Sequence, residues 1–326
     1  MKNLFSTLLF SLSLLVIVLA GSCSKDSDEH IEQPPKPISL TDQLKQEGLY
    51  IFSEGLFIAG LESEVNATNL TLFAPTDSTM QSYLNYVGVN TMWDLRDLLG
   101  QANFKQMMRY HFWPRHITPA QISTGYVSTL ATNKNQDQLH CHTLKMGFKV
   151  VLNQSAQVLD SNLRIQNLLI HKINAPLTPL TLNGLLRVNS DFSELNKAVS
   201  HAGGDVEVWL NQSQKNYTLF APSDAAFYSF LSSMGIYDLD FFMASVNKED
   251  IRDILKQHLL GDSYLAQQLQ NGMYNTLRQG YQFEIIKDSS GSITIKDTNG
   301  PTVIKVTSTN VVAVNGTMHT LNRVMQ

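Results

Sequence analysis

Thr71-Leu72-Phe73-Ala74-Pro75-Thr76-Asp77 and Thr218-Leu219-Phe220-Ala221-Pro222-Ser223-Asp224 are one heptapeptide written twice, with Thr76 exchanged for Ser223. The second follows the first by 147 residues, and the correspondence continues downstream. Met80, Tyr83, Leu84, Val87 and Gly88 stand at that offset from Phe227, Phe230, Leu231, Met234 and Gly235. Phe104, Met107, Met108 and His111 do so from Ile251, Ile254, Leu255 and His258. Asn167 and His171 correspond to Asn315 and His319 at 148. An offset held to within one residue over such a span marks the tandem duplication of one structural unit.

The 326 residues suit two domains of about 150 residues, each able to bury its own core. Each unit opens on a helical segment, Leu44 to Leu61 in the first and Phe192 to Val199 in the second, with apolar residues at three- and four-residue spacing. The heptapeptide reads as a strand that ends at its proline. Asp77 and Asp224 then stand where a helix N-cap is expected, before the amphipathic run Met80-Tyr83-Leu84-Val87. Helical periodicity resumes over Leu95–Phe112 and Ile251–Leu260. In the second half of each unit the period changes to two, as in Phe148-Val150-Leu152, Tyr281-Phe283-Ile285 and Ile293-Thr294-Ile295, with Ser290-Gly291 as a hairpin turn. Helices first and strands after predict an α+β fold, with domains over 39–178 and 184–326. The short link from Pro176 to Thr181 predicts a fairly fixed pair.

The heptapeptide, a histidine following a helix (Tyr110-His111, Gln257-His258) and a closing Asn-Gly-x-x-His together resemble fasciclin-like domains. Ala313-Val314-Asn315-Gly316-Thr317-Met318-His319 carries the closing motif in full. In the first copy, Asn167-Leu168-Leu169-Ile170-His171 has leucine in place of the glycine. The resemblance covers nearly all of residues 40–326. It implies in each copy a wedge of β-sheet with helices packed at one end, and a non-enzymatic role in extracellular adhesion or matrix association. It also implies an Asp-Ile element before the closing motif where animal members engage integrins. Here those positions read Asn162-Leu163 and Asn310-Val311, so the carboxylate an integrin metal would need is missing from both copies.

Ahead of the repeats, Lys2 precedes an apolar run from Leu8 to Ala20, long enough for a signal-peptide core and short for a membrane span. It closes on Leu19-Ala20-Gly21-Ser22-Cys23, which resembles the lipobox of bacterial lipoproteins and makes Cys23 the expected site of lipid attachment after removal of residues 1–22. An ordinary secretory peptide, with Cys23 as a free thiol, is the alternative. Residues 23–38 are polar, acidic and proline-rich, a composition that buries no core and reads as a tether. The acidic cluster behind Cys23 is similar to the surface-export signal of some Gram-negative lipoproteins, or is simply a solvated linker. The expected location is the outer membrane, by a lipid anchor, facing outward.

Composition excludes several other roles. A net charge of −4 offers no basic field for a polyanion, which argues against nucleic acid as a partner. Cys23 and Cys141 are the two cysteines, so no disulfide framework supports the fold. His111, His171, His258 and His319 recur with the repeat, but no further metal ligands or nucleophile accompany them at a recognisable spacing. They are expected to be buried and bonded to backbone or to Asp77 and Asp224. His140-Cys141-His142 looks most like a metal cluster. In a strand, though, the histidines face opposite to the cysteine, and the expected setting is a surface loop or edge strand. Phe241-Phe242 and Phe112-Trp113 read as core, while Trp93 and Trp209 leave room for an exposed carbohydrate or peptide groove. No phosphate loop or nucleophile-elbow motif occurs. The sequence thus predicts no cofactor and no metal. The expected role is adhesion to a matrix, cell or envelope partner, the alternative being an accessory that presents glycan or peptide to an outer-membrane uptake complex.

Overall fold

A computed structural model describes residues 38–66, 69–212, 214–297 and 303–326. The expected signal peptide, Cys23 and nearly all of the tether lie outside the described residues. In the first copy, α1 (Leu40–Gln46), α2 (Tyr50–Ala59) and α3 (Glu62–Asn66) lead into β1 (Leu70–Pro75). Next come α4 (Asp77–Tyr86), α5 (Met92–Leu99), α6 (Gln101–Arg109) and β2 (Phe112–Pro114). The copy finishes with β3 (Gly125–Thr132), β4 (Gln138–Met146), β5 (Lys149–Leu152), β6 (Ala156–Ile165) and β7 (Leu168–Ile173). In the second copy, α7 (Leu182–Val188), α8 (Ser193–Ala202) and α9 (Gly204–Asn211) precede β8 (Tyr217–Pro222). After these follow α10 (Asp224–Ser233), α11 (Leu239–Ser245), α12 (Lys248–Gln257), β9 (Leu259–Leu260) and β10 (Gly272–Asn275). It closes with β11 (Gln282–Lys287), β12 (Ile293–Asp297), β13 (Val303–Ala313) and β14 (Gly316–Leu321).

Each copy arranges seven strands in the same order, β2-β1-β7-β6-β5-β4-β3 and β9-β8-β14-β13-β12-β11-β10. The α+β class and the duplicated topology are those the repeat predicts. All pairings are antiparallel except β1 with β7 and β8 with β14. Register irregularities in β6 and β13 bend the order, so one run of strands presents two faces.

The heptapeptide strand is buried along its whole length because each of its faces meets a different core. In the first copy Leu70, Leu72 and Ala74 join the helical core with Phe52, Leu56 and Phe104, while Phe73 points into the sheet core beside Trp113 and Ile173. In the second, Tyr217, Leu219 and Ala221 join the helices and Phe220 the sheet core. Period-two alternation divides one strand between two apolar compartments, which is why the segment is apolar on both faces apart from the buried Thr71 and Thr218.

Several local expectations differ from the structure: the helical run Ile251–Leu260 ends at Gln257, with Leu259 and Leu260 forming β9, and Phe148 stands exposed in the turn before β5. The helical run Leu95–Phe112 is two helices, because Gly100 takes φ 77°, ψ 148° between α5 and α6, and Phe112 already belongs to β2. Leu44–Leu61 likewise divides, with Gly48 at φ 74° between α1 and α2. Phe242 is buried, but Phe241, one position around the helix, is 62% exposed rather than core.

The leucine in the first closing motif has a visible consequence. In the second copy the parallel ladder runs over six pairs from Gly316↔Tyr217 to Leu321↔Pro222, whereas in the first it begins only at Phe73↔His171 and covers three. At Gly316, φ is 152° and an added Cβ would collide with the Tyr217 carbonyl. With Leu168 in place of the glycine the registered pairs begin only at Phe73, although Asn167 O still accepts from Leu70 N at 3.3 Å as Asn315 O does from Tyr217 N at 3.0 Å. Gly316→Ala is therefore expected to destabilise the protein by on the order of 3 kcal/mol, read by urea unfolding. An unchanged midpoint would show that the glycine does not set the longer ladder.

Candidate functional site

The aspartates and histidines of the repeated motifs all bond to backbone, whereas Gln257, beside His258, is buried without a side-chain hydrogen bond and Thr317 Oγ1 pairs with Ser263 Oγ. Asp77 and Asp224 do not cap the helices they begin. Those N-caps are Thr76 and Ser223, whose hydroxyls accept from Thr79 N and Ala226 N. The aspartates instead reach an earlier helix: Asp77 Oδ1 accepts from Ile51 N at 2.8 Å and Asp224 Oδ1 from Glu194 N at 2.8 Å. These amides lie in the first turns of α2 and α8, whose own N-cap residues, Leu49 and Phe192, have no side-chain acceptor. Each aspartate thus caps a helix supplied by another part of the chain. Burial pushes the Asp224 carboxyl above its ordinary range.

The histidines form two pairs of identical clamps. His111 Nδ1–H donates to Met107 O at 2.9 Å while its Nε2 accepts from Leu177 N at 2.9 Å. His258 repeats this with Ile254 O at 2.8 Å and Met325 N at 3.0 Å. Both tie the end of a helix to the segment leaving the last strand. His171 and His319 carry the opposite tautomer. Their Nδ1 atoms accept from Asn162 N at 3.1 Å and Asn310 N at 3.3 Å, and their Nε2–H groups donate to Ile117 O at 2.8 Å and Tyr264 O at 2.9 Å. Asn162 and Asn310 occupy the left-handed region, φ 67° and 65°, at the irregular turns of β6 and β13. Backbone is the partner throughout, so the alternative of histidine–aspartate pairing is not what forms. With both nitrogens engaged, none of the four rings is placed to act as a general base on a bound molecule.

Sequence reading missed Thr71 and Thr218, although their identity at the repeat offset was the available signal. Thr71 Oγ1 donates to Arg115 O and accepts from Ile117 N, and Thr218 Oγ1 does the same with Asp262 O and Tyr264 N. Asn315 is fully buried, accepting from Leu182 N at 2.8 Å and donating to Trp209 O and Leu210 O. Its counterpart Asn167 is exposed and donates to Asn66 O.

His140-Cys141-His142 is neither a surface loop nor an edge strand. It lies in β4, between β3 and β5, at the boundary with the second copy. Cys141 is free and points into the first copy's sheet core, where burial raises its thiol pKa. The histidines face the other way: His140 Nδ1 accepts from Val312 N at 3.1 Å, and His142 meets the Tyr126 ring edge-on at 5.1 Å. Tyr126 packs on the second copy's helical core and donates to Leu185 O at 3.1 Å, while Val312 enters the first copy's sheet core. Among the described residues no group of three or more His, Cys, Asp or Glu is placed to hold a metal ion. Trp209 is partly buried and stacks on Tyr217, so it offers no open platform. Trp93 is 43% exposed beneath the Arg96 guanidinium.

Beside this boundary the two copies enclose a cleft of about 680 Å³, open to solvent, with walls from β3, β4, β13, β14 and the segment before α8.

Against known proteins, residues 48–179 and 190–326 each match the fasciclin domain family model. The chain belongs to the fasciclin domain family. It is 23% identical over 183 residues to Fasciclin-1 of Schistocerca americana, a match covering 52% of this chain and 26% of that protein. The chain thus spans about a quarter of that curated relative. A solved FAS1 domain pair from the insect cell adhesion molecule Fasciclin I superposes with a TM-score of 0.50 at 18% identity, covering 86% of this chain and 98% of that one. The likeness is one of fold, in tandem. Fasciclin domains are in general adhesion and binding modules without catalysis.

Desolvation holds His111, His258, His319 and His140 neutral, each lowered from 6.5 to about 4, and lowers His171 and His142 as well. The unfolded chain takes up these protons first. Their contribution to stability is therefore complete above pH 6.5 and declines as the pH falls toward 4. Unfolding free energy is expected to drop between pH 7 and 5 by on the order of 1–2 kcal/mol for each histidine lowered to about 4, His111, His258, His319 and His140. Urea titrations at both pH values check this, and equal stabilities would contradict it.

Proposed function

We propose that the protein is a lipid-anchored, surface-exposed adhesion or binding protein of a Gram-negative envelope, whose two fasciclin modules hold a matrix, cell or envelope partner without catalysis. The observation carrying this is the tandem fasciclin architecture behind a sequence that ends its apolar leader in Leu19-Ala20-Gly21-Ser22-Cys23. A lipidated Cys23 carrying more than one acyl chain anchors stably where one chain does not. Among the described residues no helix is long and apolar enough to cross a membrane. The aspartates and histidines of the family motifs serve backbone groups, which supports a scaffold that presents its outer surfaces rather than a reaction centre. The cleft between the copies favours a second reading, an accessory that presents glycan or peptide to an uptake complex.

Palmitate labelling tests the anchor and protease shaving of intact cells tests the exposure. Wild type is expected to incorporate label and to be cleaved from outside, and Cys23→Ser to incorporate none. Unlabelled wild type, or wild type resistant to shaving, would refute the anchored surface location.

A further inference from the structure

The duplication supplies its own control for the cleft between the copies. In β13 and β14 the second copy contributes Thr307, Ser308, Thr309 and Thr320 to the wall. Equivalent register pairs, Asp160↔Lys172 and Ser308↔Thr320, align these four with Leu159, Asp160, Ser161 and Lys172 of the first copy. There Lys172 Nζ reaches Glu47 O at 2.9 Å and lies 3.6 Å from the Glu47 carboxylate, bridging the corresponding surface. In the second copy that cation is replaced by a threonine, the apolar Leu159 and acidic Asp160 by hydroxyls, and the bridge is gone. One residue before the N-cap of the next helix, the first copy has Gly48 and the second Asp191, which faces the cleft.

The resulting wall is a consistent chemical surface. Hydroxyls come from β13 and β14, amides from Asn189 and Asn322, and carboxylates from Asp191 and Asp224, with His140 closing the first copy's side. Among the described residues no lysine or arginine lines it, so an anionic ligand would meet two carboxylates and no countercharge. Tyr126, Phe192 and Val311 add apolar area between these polar groups, a mixed lining that suits the amphipathic faces of a sugar, and the volume falls within the roughly 300–1,000 Å³ of small-molecule sites. Closely spaced hydroxyl, amide and carboxylate groups exchange their water for the hydroxyls of a polyol, replacing each hydrogen bond in kind. We infer that this cleft is a binding site for a short neutral oligosaccharide, assembled only when the two copies stand together. This rests on the reading of the pair as a binding module and gives that module a ligand class.

The test uses the purified full chain in a detergent without a sugar head group. Its probes are short neutral gluco-, galacto-, manno- and xylo-oligosaccharides with their sulfated and uronic-acid counterparts. Wild type is expected to bind at least one neutral probe saturably. Thr309→Trp, which fills the cleft, and Thr320→Lys, which restores the first copy's residue, should each weaken binding by about tenfold or more with melting temperature retained. In wild type the bound probe should slow amide hydrogen exchange at 189–192 and 307–309, a readout independent of how the variants fold. No binding of any neutral probe, preference for the anionic ones, or exchange protection elsewhere would overturn the assignment. Adhesion of cells displaying the same proteins separates the two readings. Adhesion unaffected by the substitutions, with no saccharide bound, removes the cleft and leaves the adhesion module. Saccharide binding without adhesion does the reverse.

Discussion

A chain that folds back through loops between a helical core and a sheet core must find partners for the backbone groups it buries there. Leaving a buried amide or carbonyl unpaired costs on the order of 1–3 kcal/mol, comparable with a large share of a domain's net stability. This protein meets the demand with side chains. His111 and His258, His171 and His319 each join a backbone donor and a backbone acceptor that lie far apart in sequence, and Thr71 and Thr218 each hold a donor and an acceptor of one loop 44 and 46 positions away. Asp77 and Asp224 supply the caps that α2 and α8 lack. The neutrality of the histidines follows from the same arrangement, since a protonated ring would aim a second N–H at a backbone N–H.

That constraint explains what sequence could and could not tell. The repeat, its period change from helix to strand, and the division of Leu72 and Phe73 between opposite faces follow from local spacing, and the α+β pair emerges from them. The partners of Asp77 do not. A carboxylate before an amphipathic helix satisfies the local rule for a cap, but Ile51 competes from 26 positions away and Thr76 already serves the nearer helix. Gly100 likewise interrupts a periodicity that runs straight through it, because apolar spacing reports which face is buried and not whether the backbone turns between two helices. For His140-Cys141-His142, alternation correctly separated the histidines from the cysteine. Which strand neighbours they have, and that the outward face meets a second domain, are tertiary facts.

The boundary between the copies is built from residues that repeat poorly. Tyr126 and Val312 exchange sides, each entering a core of the opposite copy, while His140 accepts the Val312 amide between them. A short link alone limits separation without fixing orientation. Reciprocal insertion of side chains into two packed interiors does fix it, since interiors tolerate little displacement. Fold identity within each copy and the geometry of the pair are therefore encoded in different residues.

Duplication makes this separation legible in one chain. Positions that pair buried backbone retained their chemistry in both copies, down to the tautomer of each histidine. Positions free of that duty diverged, and Leu168 against Gly316 shows the intermediate case, where a backbone approach was given up in one copy and the ladder shortened by three pairs. The cleft sets freed positions, Ser308, Thr309 and Thr320, beside retained ones such as Asp224 and Asn322, and there Lys172 and Thr320 face the same place in the fold with opposite effects. In a scaffold whose motif aspartates and histidines are committed to the backbone, recognition falls to the surfaces on which the copies differ. Of these, the cleft is the one whose walls come from both.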